Sequence, residues 1–480
     1  MLLGNHGHWI EGREVPSASG ALFDVLDPGT GDVLGHAARG GKPEADRAVA
    51  AANQALEGPW GGLDGRDRTA LLWNLSRLLD RDRKALGRTL ALENGKPLAL
   101  ADHELTTAVR YCEYYAGWAD KIAGREIPVP GPHFAYTLRE PLGVILLIIP
   151  WNYPLDILMR GVAPALAAGN TIVAKPAEDT PFIALEVGRL MKEAGFPDGV
   201  FNVVTGFGPE AGAALTAHPD IHGISFCGSW PTGIRVAESA AKNLVPVLSL
   251  ELGGKCPSLV LPDGDVAGAA RTIAGGLIYN AGQSCVARSR LIVPRRGLAE
   301  AEAILKSVLQ DVTLGHCLDN PAMGPLINRP QKEKVLAGIA EAQGAGARMV
   351  VGGPVPPSLS RGHFVRPTVF SDVTPSMTLA REEVFGPVLA VIPYDDEEEG
   401  IRIANDTEYG LAAELWTASP AKAHATVKRL NASHITLNSS GGFGIEVPFG
   451  GIGRSGYGRE GGEEGLWQYT RVKSVYMNIS

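Results

Sequence analysis

The chain has 480 residues, of which 45% are hydrophobic, and a formal net charge of −8. A chain of this length can bury more than one core, so a single small module is excluded and two or more domains are expected. Acidic and basic residues are interspersed, apart from the run Asp395–Glu399, which we expect to be a solvated loop, and nothing in this pattern suggests a nucleic-acid partner.

The cysteines and apolar runs indicate where the protein works. Five cysteines are scattered without C-x-x-C spacing, so neither a disulfide framework nor a metal site is expected. The longest strongly apolar run, VILLIIP from Val144, is far too short to span a bilayer, and the N-terminus has no signal-peptide pattern. We therefore expect a cytoplasmic protein with no membrane partner.

The pattern along the chain predicts an α/β fold. Residues 44–124 carry leucines three and four apart, which predicts amphipathic helices. From Val144 onward, short apolar runs alternate with helical stretches, as is typical of a parallel sheet covered on both faces. A second alternating series begins near Cys256 and predicts a second α/β domain. Strand-like segments near 123–141 and at the C-terminal YTRVKSVYMNIS are expected to pair outside their own domain.

The stretch YNAGQSCVARSR, residues 279–290, contains a candidate nucleophile. Cys285 lies among small residues after an apolar helical run, with Arg288 and Arg290 close behind it. A reactive thiolate gains from an accessible turn and nearby positive charge, neither of which a buried structural cysteine needs.

Two further polar residues stand next to apolar strands. Glu251, in VLSLELGG, is either a chance ion-pair partner or a carboxylate held for proton transfer, because desolvation raises a carboxyl pKa toward the general-base range. Asn152, in IPWNYP, is either a turn former or an amide donor for an oxyanion. A nucleophile together with a base would suit covalent catalysis followed by hydrolysis.

Six stretches taken together resemble one family. PWNYP, KPAEDTP, FCGSWPTG, LELGGK, GQSCVARSR and EEVFGPV, in this order, resemble the aldehyde dehydrogenase superfamily of the NAD(P)-dependent, non-phosphorylating, hydrolytic type, over nearly the whole chain. The resemblance implies NAD-dependent oxidation of an aldehyde to a carboxylic acid by a homodimer or homotetramer. It also implies a Rossmann-like NAD-binding domain, an α/β catalytic domain and an oligomerisation β-arm, expected at 1–122 with 142–253, at 254–453, and at 123–141 with 454–480.

The resemblance also implies roles for the polar residues already noted. Cys285 matches the nucleophile that forms a thiohemiacetal and then a thioester. Asn152, together with the Cys285 backbone N–H, matches the oxyanion hole. Glu251 matches the base that activates the hydrolytic water.

For the NAD cofactor, the resemblance points to a glycine turn and several ribose contacts. Gly228, Ser229 and Gly233 should open a helix whose N-terminus can meet a diphosphate. Lys175 and Glu178 match contacts to the adenine ribose, and Glu178 should favour NAD over NADP. The remaining cofactor positions implied are Ile148, Trp151, Gln331, Glu383 and Phe385.

Three positions depart from the family pattern. Cys227 stands where a threonine is usual, so a thiol replaces a hydroxyl beside the expected nicotinamide position. Arg288 stands where a small residue is frequent. Gly161 lies where many members carry a lysine linked to a proton-relay glutamate, which would leave Glu460 without that partner.

The sequence also suggests which residues contact the substrate. Asp156 and Arg160 are four apart on an expected helix, and the succinic semialdehyde dehydrogenases of the family have an arginine at the second position for the substrate carboxylate. This favours an aldehyde with a polar or anionic tail, although Tyr279 replaces a second arginine of that subfamily. The alternative is an internal Asp156–Arg160 pair that only stabilises the helix. The expected substrate residues are Tyr153, Asp156, Arg160 and Phe443.

Two other functions remain as alternatives. Acyl transfer to coenzyme A or phosphate occurs in family branches that do not need water activation, and the presence of Glu251 disfavours it. A non-catalytic descendant of the fold would be expected to lose some of Cys285, Asn152 and Glu251, and all three are present.

Overall fold

The computed structural model describes residues 3–439 and 444–480. Within these ranges the strands, in chain order, are β1 Gly4–His6, β2 His8–Ile10, β3 Arg13–Val15, β4 Leu22–Leu26, β5 Val33–Ala38, β6 Glu126–Ile127, β7 His133–Pro141, β8 Val144–Ile149, β9 Thr171–Pro176, β10 Phe201–Val203, β11 Gly223–Cys227, β12 Val247–Glu251, β13 Cys256–Val260, β14 Arg288–Pro294, β15 Arg348–Val351, β16 Thr368–Ser371, β17 Val388–Tyr394, β18 Ala412–Trp416, β19 His434–Leu437, β20 Gly456–Tyr457 and β21 Thr470–Asn478.

The helices of the same ranges cover both faces of the sheets. In chain order they are α1 Lys42–Glu57, α2 Gly65–Arg81, α3 Arg83–Asn94, α4 Leu98–Ala116, α5 Pro154–Ala167, α6 Phe182–Ala194, α7 Ala213–Thr216, α8 Trp230–Ala241, α9 Val266–Ile278, α10 Leu298–Leu309, α11 Arg329–Gly344, α12 Thr378–Arg381, α13 Glu397–Asn405, α14 Pro420–Val427 and α15 Glu464–Trp467. Among these described helices, none combines the length and the apolar composition needed to cross a membrane.

The first large sheet confirms the parallel arrangement expected from Val144 onward. Its eight strands follow the order β20-β12-β11-β8-β9-β10-β2-β3, and the five strands from β12 to β10 are parallel. These strands lack polar alternation because apolar clusters cover both faces of the sheet, one packed against α2 to α6 and the other against α1 and α8. The carboxyl ends of β8, β9, β11 and β12 therefore meet along one edge.

A second large sheet follows in the chain, as the alternating series near Cys256 predicts. Its order is β15-β16-β17-β14-β13-β18-β19, with every neighbouring pair parallel except β15 with β16. Strand β16 was not among the strands expected from the sequence. Because β13 follows β12 after four residues, the end of the first sheet lies next to the start of the second.

The strand-like segments 123–141 and 470–478 pair with each other. β21 runs antiparallel to β7 in unbroken register from Thr470 opposite Pro141 to Asn478 opposite His133, and β6 completes this small sheet. Strand β20 instead joins the first large sheet through β12. The expectation that all of 454–480 belongs to the arm is therefore wrong for residues 456–457.

Two buried glutamates cap α5 and α6, the helices that follow the carboxyl ends of β8 and β9. Helices α5 and α6 both begin beside a proline and have no side-chain cap of their own. Glu104 on α4 accepts from the first free N–H groups of α5 at 2.8 and 3.0 Å, and Glu93 on α3 does the same for α6. A carboxylate at a helix N-terminus satisfies unpaired donors and the helix dipole, so these distant residues fix where both helices start.

The acidic run Asp395–Glu399 is exposed, but its interpretation as a loop is wrong. Asp396 is the N-cap of α13, and its side chain accepts from the backbone N–H of Glu399 at 2.9 Å. Carboxylates near a helix N-terminus are stabilised by the helix dipole, so the run forms a first turn.

Candidate active site

A cavity of about 470 Å³ opens between α4, α5, α9 and the segment around Cys285. Several of the residues that the sequence analysis singled out face it. Its lining includes Tyr111, Tyr153, Asp156, Arg160, Tyr279, Cys285, Arg288, Glu414 and Phe449. The predicted substrate residue Phe443 lies outside the described residues.

The chain reaches Cys285 through a strained turn. Asn280, Ala281 and Gly282 have successive φ angles of 48°, 53° and 70°, in the left-handed region that non-glycine residues rarely adopt. Gln283 holds this turn, donating to the Asn280 carbonyl at 3.1 Å and accepting from the Ile327 N–H at 2.9 Å. Glycine is required at position 282, because a Cβ atom there would clash with the Gly386 carbonyl oxygen. The segment after this turn presents the Cys285 thiol to the cavity.

Asn152 is fixed against this turn from three sides. Its side-chain amide donates to the Gln283 carbonyl at 3.2 Å, while its own carbonyl accepts from Asn280 at 3.0 Å and from Lys96 at 3.0 Å. The Asn152 amide and the segment before Cys285, more than 130 residues apart in the chain, are thus brought together.

Lys96 and Glu104 were not found by the sequence analysis. They form an ion pair in which both side chains are almost completely buried. The signal that could have revealed them is a glutamate on the apolar face of a helix, between Ala101 and Ala108. Because Glu104 also caps α5, one buried pair positions both the Asn152 loop and the start of the helix that lines the cavity.

Glu251 lies between two thiols. It ends β12 directly opposite Cys227, the last residue of β11, and the Cys227 thiol donates to its Oε2 atom. The Cys285 thiol interacts with the same carboxylate. Burial raises the pKa of Glu251 and, together with the charge of Glu251, raises the pKa of Cys285 well above its usual value. The thiol that replaces the usual hydroxyl at position 227 thus touches the carboxylate itself.

Arg160 balances the charge of this buried site. Its Nε atom lies 2.6 Å from Glu460 Oε2 and a terminal nitrogen lies 3.7 Å from Glu251 Oε2. The internal Asp156–Arg160 pair, the alternative reading of these two residues, is not formed among the described residues. Glu460 has no lysine at position 161 to pair with, and Arg160 is its partner instead. The second oxygen of Glu460 accepts from Ser225 and Ser249 at 3.0 and 2.8 Å.

The two arginines after Cys285 do not act as the sequence analysis expected. Arg290 is buried and donates to three backbone carbonyls at 2.8–3.0 Å, those of Lys255 just before β13 and of Ile403 and Ala404 in α13. Arg288 lies 3.2 Å from a carboxylate oxygen of Glu414. Both guanidinium groups therefore pair with groups other than the Cys285 thiol. Burial raises the pKa of that thiol, and the positive charge of Arg160 opposes the rise.

The predicted diphosphate site has the expected local structure. Gly228 follows β11, and Ser229 is the N-cap of the 12-residue helix α8, which has no side-chain cap on its first N–H groups. A Cβ atom at Gly233 would approach Leu252 to 2.8 Å, so glycine lets the helix pack closely on the segment after β12. This exposed helix N-terminus fits an anionic diphosphate.

Lys175 and Glu178 meet at the end of β9. The buried Lys175 ammonium donates to the Pro176 carbonyl at 3.0 Å and lies 3.5 Å from a Glu178 oxygen. Burial lowers the pKa of Lys175. The Glu178 side chain is 41% exposed, so its carboxylate remains accessible to a hydroxyl-bearing ligand.

The remaining predicted cofactor residues cluster where the two large sheets meet. The Trp151 and Phe385 rings lie 5.4 Å apart and nearly perpendicular, and Glu383 accepts from the Gly254 N–H at 2.8 Å. Gln331 donates to the Phe385 carbonyl at 2.7 Å, so it holds the Phe385 backbone, whose φ angle is 56°. Ile148 lies at the carboxyl end of β8, opposite Lys175.

The chain matches known proteins along nearly its whole length. A model described as the aldehyde dehydrogenase family matches residues 15–475. Aldehyde dehydrogenase 1A1 of Homo sapiens is 42% identical over 472 residues, which cover 97% of this chain and 93% of that protein. The mitochondrial aldehyde dehydrogenase of Sus scrofa is 41% identical over 461 residues, covering 95% and 88%. The NAD+ complex of an aldehyde dehydrogenase from Bacillus cereus has a TM-score of 0.96 at 41% identity, covering 99% of this chain and 97% of that chain.

Cys285 should be the cysteine that reacts with a small alkylating reagent. It is partly exposed in the cavity, whereas the other four cysteines are buried. Because its pKa is raised, the thiolate is a minor species at pH 7, and the labelling rate should rise about tenfold per pH unit between pH 7 and 9. Iodoacetamide labelling followed by peptide mass analysis measures this, with Cys285→Ser as the control. A rate that does not change from pH 6 to 8 would contradict it.

Proposed function

Because the chain belongs to the aldehyde dehydrogenase family and is an NAD-dependent aldehyde dehydrogenase, we propose that Cys285, Glu251 and Asn152 oxidise the aldehyde to a carboxylic acid. The observation that carries this proposal is the position of the Glu251 carboxylate against the Cys285 thiol, beside the strained turn that holds the Asn152 amide. We further propose that the eight-stranded sheet with its helices binds NAD and that the seven-stranded sheet carries the nucleophile.

The first step requires the Cys285 thiol to lose its proton. Because burial raises the pKa of that thiol, a base must take the proton, and the Glu251 carboxylate interacts with the thiol. Glu251 must pass this proton to solvent before it can act as a base again. As the sulfur–carbon bond forms, the carbonyl oxygen receives an electron pair. The Asn152 amide and the Cys285 backbone N–H stabilise that negative charge.

When bound, NAD would supply the hydride acceptor, and the carbon held by Cys285 would lose its hydride to become a thioester. Glu251 then takes a proton from water, whose oxygen attacks the thioester carbon, and the cysteine sulfur leaves as thiolate. Burial raises the pKa of Glu251 while Arg160 opposes the rise, so this carboxylate is a stronger base than an exposed one.

Substitutions of the two reacting residues should separate these steps. Cys285→Ala should reduce NADH formation below about a hundredth of wild type while NAD binding persists, because the covalent step is lost. Glu251→Gln should slow the burst of about one NADH per site and should slow steady-state turnover much more, with the enzyme stalled as a thioester, since an amide accepts a proton neither from the thiol nor from water. Stopped-flow absorbance and intact mass analysis measure both. If burst and steady-state rates of Glu251→Gln fall equally, the carboxylate mainly deprotonates Cys285.

We propose that the enzyme prefers NAD to NADP. The exposed Glu178 carboxylate can accept hydrogen bonds from ribose hydroxyls, and it would repel a 2′-phosphate, although Lys175 partly offsets its charge. The ratio of kcat/KM for the two cofactors should favour NAD by about tenfold or more, which corresponds to about 1.4 kcal/mol. Glu178→Gln should lower the ratio of kcat/KM with NAD to kcat/KM with NADP. Equal values in wild type would show that Glu178 does not face the ribose.

We propose that the arm joins two or four copies of the chain. β21 has β7 as its one partner strand in the described chain, and its Val472 and Tyr476 side chains are 56% and 61% exposed. β19 is likewise an edge strand, so a neighbour's β21 can extend that sheet. Val472→Glu with Tyr476→Glu should lower the mass measured by light scattering, whereas Leu336→Glu, on exposed helix α11, should not. A monomeric wild type would contradict the proposal.

The free thiols also bear on where the enzyme works. All five cysteines lie within the described residues and none forms a disulfide. We propose that the protein works in a reducing compartment such as the cytoplasm, where a catalytic thiol stays reduced.

A further inference from the structure

Some of the charged side chains that line the cavity at Cys285 have ion-pair partners and one does not. Arg160 forms ion pairs with Glu460 and Glu251, and Arg288 forms one with Glu414. Each arginine that lines the cavity is therefore matched by at least one buried carboxylate. The positive charge on which the hypothesis of an anionic substrate tail rests is already neutralised within the protein.

Asp156 is a carboxylate on this wall without such a partner. It lies in the first turn of α5 and lines the cavity, and no ion pair to it forms in the described chain. Residues 440–443, SGGF, lie outside the described ranges and carry no charge. Arg160 attracts Asp156 from beyond ion-pairing distance, and the neighbouring Lys96–Glu104 pair is neutral overall.

The rest of this wall suits a cation. Tyr111, Tyr153 and Tyr279 line the same cavity, and the Tyr153 and Tyr279 rings are nearly parallel with centroids 6.3 Å apart. Lys96 already places its ammonium 4.6 Å from the Tyr153 ring centre. Ring faces and a carboxylate together attract ammonium groups, and burial raises the pKa of Asp156 to about 6, which a bound cation would oppose.

We propose that the aldehyde oxidised here carries an ammonium group at the end remote from its carbonyl, held by Asp156 and the tyrosine wall. This inference rests on the proposed function, because it places the aldehyde carbon at Cys285 and extends the rest of the molecule along α5. A cavity of about 470 Å³ accommodates such a molecule, since small-ligand pockets start at about 300 Å³. An anionic tail at this place would meet a like charge.

The experiment compares probes that differ in charge and little in shape. The probes are trimethylammoniobutanal, its neutral carbon isostere dimethylhexanal, and succinic semialdehyde, with aminopropanal to separate a primary from a quaternary ammonium. We expect kcat/KM of wild type to be at least about tenfold higher for trimethylammoniobutanal than for the isostere, and lowest for succinic semialdehyde.

Variants then assign the preference to one side chain. Asp156→Asn should lower the cation-to-isostere ratio about tenfold, because it removes the charge and keeps the shape. Glu341→Gln removes an exposed carboxylate on α11 and should leave the ratio unchanged. The wild-type ratio alone decides the inference if Asp156→Asn does not fold.

The possible results distinguish failure of the ammonium inference from failure of the proposed function. Equal kcat/KM for cation and isostere, or a preference for succinic semialdehyde, would overturn the ammonium inference while aldehyde oxidation stands. An unchanged ratio in folded Asp156→Asn would also overturn it. If wild type oxidises none of the four aldehydes, the proposed function fails and the inference fails with it.

Discussion

The site depends on one buried carboxylate that its basic partner only partly compensates. Glu251 is almost completely buried, and each ion transferred from water to a protein interior costs several kcal/mol unless it is paired. Arg160 supplies the compensating charge but lies closer to Glu460 than to Glu251. Glu460 is further satisfied by two serine hydroxyls, whereas the Glu251 Oε1 atom has no hydrogen-bond partner in the described chain. The less satisfied of the two carboxylates is therefore the one beside the thiol.

This balance of charge ties distant parts of the fold together. Arg160 projects from α5, Glu460 comes from the segment between β20 and α15, and Glu251 ends β12. A second buried pair, Lys96–Glu104, holds the other end of the same region by binding the Asn152 carbonyl and capping α5. Both ion pairs therefore hold α5, and the Lys96–Glu104 pair also holds the loop that carries the candidate oxyanion donor.

Local sequence patterns predicted the parts of the protein that short-range rules govern. Apolar runs that alternate with helices predicted the parallel sheets. Cys285 and Asn152 stand in short irregular segments with small or amide residues, which such segments favour. Arg290 shows the limit of this reasoning. It stands five residues after Cys285, yet the strand that carries it directs the guanidinium to carbonyls of Ile403 and Ala404, more than 110 residues away. No local pattern specifies such a partner.

Two departures from the family pattern, Gly161 and Cys227, lie close to Arg160 and to the carboxylates that it pairs with. At Gly161 a Cβ atom would approach Leu147 to 3.0 Å and the Tyr469 hydroxyl to 3.5 Å, so the space for a longer side chain is already filled. Arg160, one position earlier and about 100° around the helix, supplies the positive charge to Glu460 instead. Since that guanidinium also reaches Glu251, and Cys227 donates to the same carboxylate, Arg160 and Cys227 act on a single group. A cation at position 160 instead of 161 points in a different direction from the helix and faces a different wall of the cavity. With Arg160 paired to Glu460 and Glu251, Asp156 has no ion-pair partner in the described chain.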